Sequence, residues 1–580
     1  NMKRIICLLV ATIVSITASG QWVSPGNGTN YNLSSLCVAA YGAVSISQNG
    51  YYQIHQDITI SANDILFLEG NATGIQIDDG ITITINGAIM TEPRVNPLSI
   101  TGDSTGTSFF TLCLGNAASG YFSNVDFQYG QHIQLLNPVQ VEFDNCEFTH
   151  FSDAVINIMN CNPTIQNCYF HDNQKAAIAS AVNTTSSPKI LNNIFYNNDL
   201  SNANVPQINL GAGGADTIYI VGNHIEGVAQ TMSGGIGIMN MGASNTLLLV
   251  SNNVIEHNRY GYTQNGTNIH AIIQDNIIRN NNLETNPNNG GSAISIYGST
   301  TSCGAKIRRN LIHGNLWGIT AIYNHNIDMG TVEDPGGNIL YDNGNNNVEY
   351  ELYNNSSCNM SAIGNYWGGN DASHAEDVIY HQPDNNSYGL VTFEPIMELN
   401  PDILDYRILL SLNPQITNFD EDFVFSFSEY GDTLYYEFGC VVPDLSHIQP
   451  TITLPVGVSC TPNSEEVVNL WFPVTYTVTT PDGTTKDWVV EVRIYGGVED
   501  YEYLPVTLSQ NPVTNGILSI RNETGKNVQV EVYSVAGQML YQTQSAEETL
   551  DIPTDRWNDG IYLVKVRQEK KERVFKTLVF

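Results

Sequence analysis

Basic residues are scarce in this sequence. Only 22 of its 580 residues are Lys or Arg, against 57 Asp or Glu, and the formal net charge is −35. Nucleic acid and anionic membranes bind proteins through clustered Lys and Arg, so neither is expected as a partner. Charged residues of both signs make up only 14% of the chain. The polar surface must therefore consist mainly of Asn, Ser, Thr, Gly and Gln, a composition that favours a stacked β architecture over a helical one.

The sequence also lacks the short motifs that mark several enzyme classes. It has no P-loop, no GxGxxG after a strand, no HExxH, no GxSxG and no zinc-type CxxC. Nucleotide chemistry, zinc proteolysis and esterase activity of the hydrolase-elbow type therefore have no support. A DxDxDG calcium loop is missing as well. We expect no metal ligands and no cofactor, with calcium left open but unsupported by any motif.

Long apolar runs are absent too, apart from one at the beginning. Lys3 and Arg4 precede a short apolar stretch that ends at Ile16, and small residues lead up to Gly20. This order of features is typical of a secretory signal peptide, and the stretch is too short to span a bilayer. We therefore expect an exported protein without a transmembrane segment.

A seven-residue unit, roughly Asn-Asn-x-apolar-x-x-Asn, recurs along the chain at spacings of 21 to 34 residues. One full repeat reads as strand, tight Asn turn, strand, longer turn, strand. Such a unit cannot bury its apolar side alone, but units stacked at about 4.8 Å pair their backbones and share one narrow core. The copies begin at Asn124, Asn145, Asn167, Asn192, Gly222, Asn252, Asp275, Arg309, Gly337 and Gly364.

Two columns of the repeat are informative. The fourth position is apolar throughout, beginning with Phe127 and Phe148, and predicts an inward ladder. The second position predicts a ladder of side-chain amides that hydrogen-bond along the stack. Cys146 and Cys168 fill it in two earlier copies; we expect buried thiols there, because neighbours in register present their Cβ atoms poorly for a disulfide. The predicted amide ladder is Asn193, Asn223, Asn253, Asn276, Asn310, Asn338 and Asn365.

This repeat resembles the right-handed parallel β-helix superfamily, the architecture of pectate lyases and of many surface proteins without known activity. The resemblance covers about residues 45 to 395. It opens with ILFLEGNATGIQIDDGITITINGAI at Ile65 and closes with GNYWGGND at Gly364. It implies an all-β fold with three strands per turn. It does not imply an activity, because the fold hosts lyases, hydrolases, epimerases and adhesins.

The segment after the repeats predicts a small Ig-like β-sandwich. Short alternating segments run from about Leu412 to Tyr495, and Pro481 to Gly483 form a hairpin signal. Export permits disulfides, and Cys440 with Cys460 is the best candidate pair in the chain.

The last 75 or so residues resemble the C-terminal sorting domain of type IX secretion. The resemblance rests on LSQNPVTNGILSI at Leu508, VEVYSVAGQMLYQ at Val530 and DGIYLVKVRQ at Asp559. It implies Gram-negative export through the type IX machinery, removal of the tail, and release or attachment at the cell surface. The alternative is another ordinary sandwich domain.

These patterns together predict the domain organisation. We expect a signal peptide over residues 1–20, a parallel β-helix over 21–399, a β-sandwich over 400–497 and a sorting domain over 504–580. The protein is expected to be a monomer.

The fifth repeat position offers a candidate site, because alternation turns it outward beside the inward fourth. Glu226, Glu256, Arg279 and His313 follow one another there on consecutive repeats. Carboxylates about 5 Å apart shift each other's pKa, Arg279 could neutralise a uronate, and His313 or Glu256 could move a proton. These four are the candidate catalytic residues of a polysaccharide lyase or glycoside hydrolase.

The surroundings of these four residues suggest contacts with a polysaccharide. Five of the eight Lys and Arg residues between Gln21 and Leu399 lie within three repeats, and such a patch could hold an acidic glycan. These five are Arg259, Arg279, Lys306, Arg308 and Arg309. The candidate substrate-binding residues are Tyr196, His257, Arg259, Lys306, Arg308 and Tyr341.

Three functions fit these observations. The RIK, Asp-Asp and Gly-His-Gly hallmarks of pectinases are missing, which favours a surface protein that contacts polysaccharide or a cell surface without catalysis. A lyase or hydrolase acting on an acidic glycan is the enzymatic alternative. A structural stalk or adhesin is the third, because the outer face of any β-helix must be polar.

Overall fold

The computed structural model describes residues 20–104, 109–429, 431–439, 441–494, 504–569 and 571–580. The predicted signal peptide, apart from Gly20, lies outside these residues. The chain forms two compact units, residues 1–399 and 400–580. Within the described ranges there are two α-helices, Leu33–Ala39 and Ala372–Val378. No helix in these ranges has the length and apolar character needed to cross a membrane.

The first unit is a right-handed parallel β-helix built from three long sheets, which confirms the predicted fold class. Each turn contributes one strand to sheet A, one to sheet B and one to sheet C, in that order. Sheet A contains Trp22–Val23, Ile58–Ile60, Thr82–Ile85, Phe110–Leu114, Gly130–Leu136, Ile156–Met159, Ile178–Ser180, Ile208–Leu210, Ile236–Asn240, Tyr262–Gly266, Ser292–Gly298, Trp317–Tyr323, Leu352–Asn355 and Ile379–Tyr380.

Sheets B and C follow the same rise along the shaft. Sheet B contains Asn30–Asn32, Ile65–Leu68, Ala88–Thr91, Ser119–Ser123, Gln140–Asp144, Thr164–Gln166, Lys189–Leu191, Thr217–Val221, Thr246–Ser251, Ile269–Gln274, Cys303–Arg308, Asn326–Asp328, Met360–Ser361 and Val391–Thr392. Sheet C contains Val44–Ile46, Tyr51–Ile54, Gly74–Ile77, Leu98–Thr101, Val125–Gln128, Glu147–Thr149, Tyr169–His171, Ile194–Tyr196, His224–Glu226, Val254–Glu256, Ile277–Arg279, Leu311–His313 and Ile339–Tyr341. A small hairpin, Gly344–Asn345 with Val348–Glu349, projects beside them.

The repeat unit makes the tight turn from sheet B to sheet C. Its first residue adopts a left-handed backbone, with φ of 54° at Asn192 and 56° at Asn252. Asn, Asp and Gly tolerate this conformation, which explains their prevalence at the first position. Arg309 is the exception, with φ of 52°, and its guanidinium pairs with Asp275 of the previous turn at 2.7 Å.

The fourth repeat position points into the core in every strand of sheet C from Val125–Gln128 onward. Phe127, Phe148, Phe170 and Phe195 stack face to face on successive turns, with centroid distances of 4.5 to 5.1 Å. Offset stacks of this kind add to the free energy gained by burying the rings. Isoleucines continue this column from Ile225 onward.

The structure places the seven asparagines of the second position in one buried file, the first amide ladder. The backbone N–H of Asn223 donates to Asn253 Oδ1 at 2.9 Å, and the side-chain Nδ2 of Asn223 donates to the same oxygen. Asn253 repeats both bonds to Asn276 and also donates to the carbonyl of Ile220. Each rung therefore satisfies backbone groups on its neighbours, which is why so polar a column can be fully buried.

The seventh repeat position forms a second amide ladder. Its upper part runs through Asn258, Asn281, Asn315 and Asn343, with the same paired bonds from each backbone N–H and Nδ2 to the next Oδ1. At the end of the file, Asn343 donates both groups to the carboxylate of Glu351. Glu351 is fully buried, and burial raises its pKa to about 8.

One rung of the second ladder comes from outside the repeat. The copy that begins at Gly222 carries Val228 where the amide is needed, and Val228 is exposed. Gln207 fills the gap: its Oε1 accepts from Asn198 Nδ2 at 2.9 Å, and its Nε2 donates to Asn258 Oδ1 at 2.9 Å. The ladder thus continues across a turn that lacks its own asparagine.

Cys146 and Cys168 are free and buried, which confirms the prediction of two thiols. Cys168 lies in register with the first amide ladder, because its backbone N–H donates to Asn193 Oδ1 at 2.9 Å. Its thiol takes the place of an amide and lies 3.0 Å from the carbonyl oxygen of Gln166 and 3.6 Å from that of Phe143.

The second unit contains two smaller β-structures. The first has a three-stranded sheet, Phe423–Val424, Asp405–Ile408 and Thr451–Thr453, and a five-stranded sheet, Ser426–Phe427, Thr433–Phe438, Thr485–Ile494, Val474–Thr479 and Ser459–Thr461, among the described residues. The second has the sheets Val506–Leu508, Ile517–Asn522 and Thr549–Pro553, and Met539–Ser545, Val528–Ser534, Gly560–Gln568 and Lys571–Val579. Each has its own apolar core. Cys460 carries a free thiol, while Cys440 lies outside the described residues, so their disulfide stays a prediction.

Candidate functional site

The fifth repeat position forms a continuous outward file on sheet C, named here the outer strip. It consists of Tyr196, Glu226, Glu256, Arg279, His313 and Tyr341. Each of these residues is the register partner of the next across the parallel strands. Neighbouring strands of a sheet lie about 4.8 Å apart, so the six side chains stand one above another along the shaft.

Glu256 is the most constrained member of the outer strip. It is only 6% exposed, and Arg279 Nε donates to its Oε2 at 2.7 Å while His224 Nε2 donates to its Oε1 at 2.9 Å. Burial acts to raise the pKa of Glu256, but the hydrogen bonds from Arg279 and His224 hold that pKa below its ordinary value. Both carboxylate oxygens are thus engaged with cationic or hydrogen-donating partners, and the group is an anion at neutral pH.

Glu226 lies between two imidazoles on the rung before Glu256. Its Oε2 is 3.8 Å from His224 Nε2, and its Oε1 is 3.6 Å from His257 Nδ1. His257 follows Glu256 in a left-handed conformation with φ of 53°, and its Nδ1 is also 4.0 Å from Glu256 Oε2. Ligating atoms of His224, Glu226 and Glu256 all lie within 4.8 Å of one another. His224 and His257 thus flank the two carboxylates of the outer strip, and the four side chains form a compact cluster at its centre.

Aromatic rings close the C-terminal end of the outer strip. His313 and Tyr341 are stacked with a centroid distance of 4.8 Å and an interplanar angle of 3°. Burial, followed by the positive charge of Arg279, lowers the pKa of His313, so its imidazole is neutral at pH 7. Burial and the nearby Asp342 raise the pKa of Tyr341. A flat, uncharged surface of two rings thus lies next to the charged cluster.

The polar file continues below Tyr196. His171 Nε2 is 2.9 Å from Glu147 Oε1, and His171 Nδ1 is 2.9 Å from Asp172 Oδ2. The ring of Tyr169 stacks on His171 with a centroid distance of 4.2 Å. This part of sheet C repeats the combination of carboxylate, imidazole and aromatic ring on turns that precede the predicted site.

The structure corrects the predicted positions of two basic residues. Arg308 and Lys306 lie on strand Cys303–Arg308 of sheet B, away from the outer strip on sheet C. Arg308 is only 2% exposed, because its guanidinium is covered by Asp328 at 2.8 Å and Asp334 at 3.0 Å. Lys306 pairs with Asp334 at 2.7 Å. Neither residue reaches a ligand bound on the strip.

The predicted cationic patch is largely neutralised. Arg279 is paired with Glu256, and Arg309 is paired with Asp275. Arg259 is held in a loop by hydrogen bonds to the Asn204 side chain and the Asn289 carbonyl. The patch of basic residues in the sequence is thus a set of local pairs, which does not favour an acidic ligand.

Sequence analysis missed His224. It occupies the third repeat position, which also faces outward because the strands of sheet C alternate around the buried fourth residue. On the following three turns this position carries Val254, Ile277 and Leu311, which gave the column an apolar character. The useful signal was the strand His224–Glu226 itself, with a polar residue on both sides of Ile225.

A second outward cluster, named here the aromatic cluster, lies at the C-terminal end of sheet A and was not predicted from the sequence. Trp317 and Tyr353 are separated by a centroid distance of 5.2 Å, Tyr353 stacks on Tyr380 at 5.1 Å, and Tyr350 lies 4.7 Å from Trp317. Tyr388 completes the group with its hydroxyl 3.3 Å from that of Tyr353. All five side chains are half-buried. Their spacing in sequence follows no repeat, so no pattern pointed to them.

Fold and strip together define a parallel β-helix protein with a polar outer face. The family comparisons agree. The family model described as right handed beta helix region matches residues 42–211. The family model described as protein of unknown function (DUF1565) matches residues 249–373. The model described as SGBP, N-terminal, matches residues 441–492, and the secretion system C-terminal sorting domain matches residues 511–580. The chain is therefore a β-helix protein carrying a type IX sorting domain, which directs it to the cell surface or the extracellular space.

Solved structures with similar architecture are distant in sequence. The periplasmic alginate epimerase AlgG is 13% identical, with 64% of this chain and 84% of that chain covered and a TM-score of 0.41. A mutant tailspike protein of E. coli bacteriophage HK620 in complex with pentasaccharide is 11% identical, with 75% and 84% covered and a TM-score of 0.24. Among curated proteins no sequence matches the chain.

Proposed function

We propose that this exported protein binds a neutral polysaccharide along the outer strip of sheet C. The observation that carries the proposal is the strip itself, an unbroken outward file of two tyrosines, one imidazole, two carboxylates and one guanidinium on six consecutive turns. Sugar rings stack on flat side chains such as His313 and Tyr341, while carboxylates accept hydrogen bonds from sugar hydroxyls. An extended polymer that lies along the strip would contact such rings and carboxylates on successive turns of the β-helix.

The charge distribution favours a neutral ligand over an acidic one. Glu226 and Glu256 contribute two negative charges to the centre of the strip, and Asp342 follows Tyr341 at its end. Arg279 is the strip's own basic residue, and it is already paired with Glu256. An anionic polymer would meet net repulsion on this face of a protein with a formal charge of −35.

Binding is tested with the full secreted chain and a panel of neutral and acidic polysaccharides, using affinity electrophoresis and calorimetry. We expect binding to at least one neutral polymer and none to pectate, alginate or glycosaminoglycans. Tyr341→Ala removes one stacking ring and should weaken affinity about tenfold, or about 1.4 kcal/mol. Tyr41→Ala is the matched control, because Tyr41 is 94% exposed at a distant position.

Two results would contradict this proposal. Lack of binding to every polymer would remove the function. Binding that Tyr341→Ala and His313→Ala both leave unchanged would move the site away from the strip, and Tyr380→Ala in the aromatic cluster then tests the next candidate surface.

A catalytic role is the second candidate, favoured by the unequal environments of Glu226 and Glu256. Arg279 holds Glu256 as an anion, whereas Glu226 lies between His224 and His257. Two carboxylates about 5 Å apart with different surroundings suit the acid and nucleophile of a retaining glycosidase. Incubation with each polymer, followed by assays for reducing ends and unsaturated products, tests this idea. Activity that survives both Glu226→Gln and Glu256→Gln would exclude the pair.

A further inference from the structure

Most of the close contacts in the cluster around Glu226 and Glu256 are too long to be direct hydrogen bonds. His224 Nε2 is 2.9 Å from Glu256 Oε1, a normal hydrogen bond. The other close pairs are longer: 3.8 Å from His224 Nε2 to Glu226 Oε2, 3.6 Å from His257 Nδ1 to Glu226 Oε1, and 4.0 Å from His257 Nδ1 to Glu256 Oε2. These distances exceed the range of direct hydrogen bonds. His224 faces Glu226 Oε2 and Glu256 Oε1, whereas His257 faces the other oxygen of each carboxylate. His224, Glu226 and Glu256 therefore form the group whose ligand atoms all lie within 4.8 Å of one another.

The same distances suit the first coordination shell of a metal ion. Ligand atoms at about 2.1 Å from an ion are separated by roughly 3.0 to 3.5 Å in octahedral or tetrahedral sites. The distances from His224 Nε2 to Glu256 Oε1 and Glu226 Oε2 are 2.9 and 3.8 Å, on either side of this range, so small side-chain movements would bring three ligands onto one ion. One imidazole nitrogen and two carboxylate oxygens, with a fourth position open, form a mixed ligand set that suits zinc better than calcium or magnesium.

Arg279 has a position expected of an outer-shell residue. It donates through Nε to Glu256 Oε2 at 2.7 Å, while Glu256 Oε1 faces His224. One oxygen of Glu256 is thus fixed by a guanidinium and the other is directed into the cluster. Ligating carboxylates are commonly held in this way by a second hydrogen-bonding residue.

The charges in the cluster also favour a cation. Glu226 and Glu256 carry two negative charges, and Arg279 supplies one positive charge. With the His224 imidazole neutral, as a metal ligand must be, the group has a residual charge of about −1 before any ion binds. A divalent ion reverses that sign, at a place where the backbone holds the three ligands on two adjacent strands.

We propose that His224, Glu226 and Glu256 bind one Zn²⁺ ion on the outer face of the β-helix. The site does not depend on glycan binding, although it lies in the middle of the outer strip. A bound ion would offer an open coordination position to a hydroxyl oxygen of a neutral glycan.

The test uses the full secreted chain, stripped with EDTA and titrated with Zn²⁺ in the absence of glycan, by calorimetry and by metal analysis after gel filtration. We expect one tightly bound equivalent per chain. His224→Ala and Glu226→Gln each remove one ligand and should weaken binding at least 100-fold. Arg279→Ala, which disturbs only the outer shell, should weaken it about tenfold. Ca²⁺ and Mg²⁺ should not compete at tenfold excess.

His171→Ala is the matched control, because His171 also lies between two carboxylates on sheet C, on turns before the site. It should bind zinc as the unmodified protein does. Circular dichroism of each variant checks folding, and His224 is 41% exposed, so its removal leaves the core intact. Zinc binding that is absent, or equal in His224→Ala, Glu226→Gln and the unmodified protein, would overturn the proposal. Zinc binding without any glycan affinity would retain the metal site and reject the polysaccharide function.

Discussion

The first amide ladder and the outer strip are two files of polar residues on the same turns of the same β-helix, one inside and one outside. Inside, the same residue type recurs seven times, and each Asn makes the same bonds to the next. Outside, six positions carry four residue types, and the contacts differ from turn to turn. Repetition marks the residues on which every turn depends, whereas variation marks places where the shaft itself requires no particular side chain.

The comparison predicts a large difference in stability between neighbouring substitutions. Asn253→Ala leaves the backbone N–H of Asn223 and the carbonyl of Ile220 buried without their partners. Each buried unsatisfied group costs about 1–3 kcal/mol, so we expect the free energy of unfolding to fall by about 5 kcal/mol. Urea denaturation followed by tryptophan fluorescence measures it.

Glu226→Gln on the outer strip is the control for that variant. Glu226 is partly exposed and accepts no short hydrogen bond, so the change should stay within about 0.5 kcal/mol. Equal losses in Asn253→Ala and Glu226→Gln would contradict the distinction between the two files.

The end of the second amide ladder predicts a dependence on pH. The pKa of Glu351 is raised to about 8 from 4.5 by burial, so the folded state holds a proton that the unfolded state releases. Stability is therefore complete below about pH 4.5 and falls as the pH rises through 8, by on the order of 4 kcal/mol. Glu351→Gln should remove this slope, because an amide does not titrate in this range. The single amide oxygen can still accept both donors of Asn343, as the Oδ1 atoms of Asn281, Asn315 and Asn343 do on the preceding rungs. Thermal unfolding between pH 5 and 9 tests it, and a flat profile in the unmodified protein would contradict it.

The smallest expected effect comes from extending the first amide ladder by one rung. Cys168 already presents its backbone N–H to Asn193 Oδ1, but its thiol is a weak donor. Cys168→Asn should add bonds to the Phe143 carbonyl and to Asn193, and stabilise the protein by about 1 kcal/mol. Cys168→Ala is the control and should be less stable than Cys168→Asn in the same denaturation assay. The reverse order would show that the file ends at Asn193 for steric reasons.

Sequence analysis predicted the interior better than the surface. The apolar column from Phe127 and the amide ladder from Asn193 recur at fixed positions of the repeat, and recurrence is visible without a structure. Type IX export was predicted on similar grounds, since its domain has extended motifs around Leu508 and Val530. The fold class followed from these patterns.

The surface could not be predicted in the same way, because contacts there depend on side-chain direction and on partners from loops. Arg308 belongs to the strand before the Asn turn, and Asp334, which covers it, comes from a loop outside the repeat. His224 contributes to the site through a column whose later members are apolar. The Zn²⁺ proposal likewise needs distances that no spacing in the sequence provides.

Gln207 shows which groups the second amide ladder requires inside the β-helix. The copy that begins at Gly222 has no asparagine at its seventh position, and the file continues through the amide of Gln207, which directly precedes strand Ile208–Leu210. The file thus requires a donor and an acceptor at each rung. The residue that supplies them need not occupy a fixed position of the repeat. Loops between these rungs can therefore change in length or composition while the amide file keeps its hydrogen bonds. The outer surface can vary in this way, and with it the ligands it contacts, while the interior stays constant.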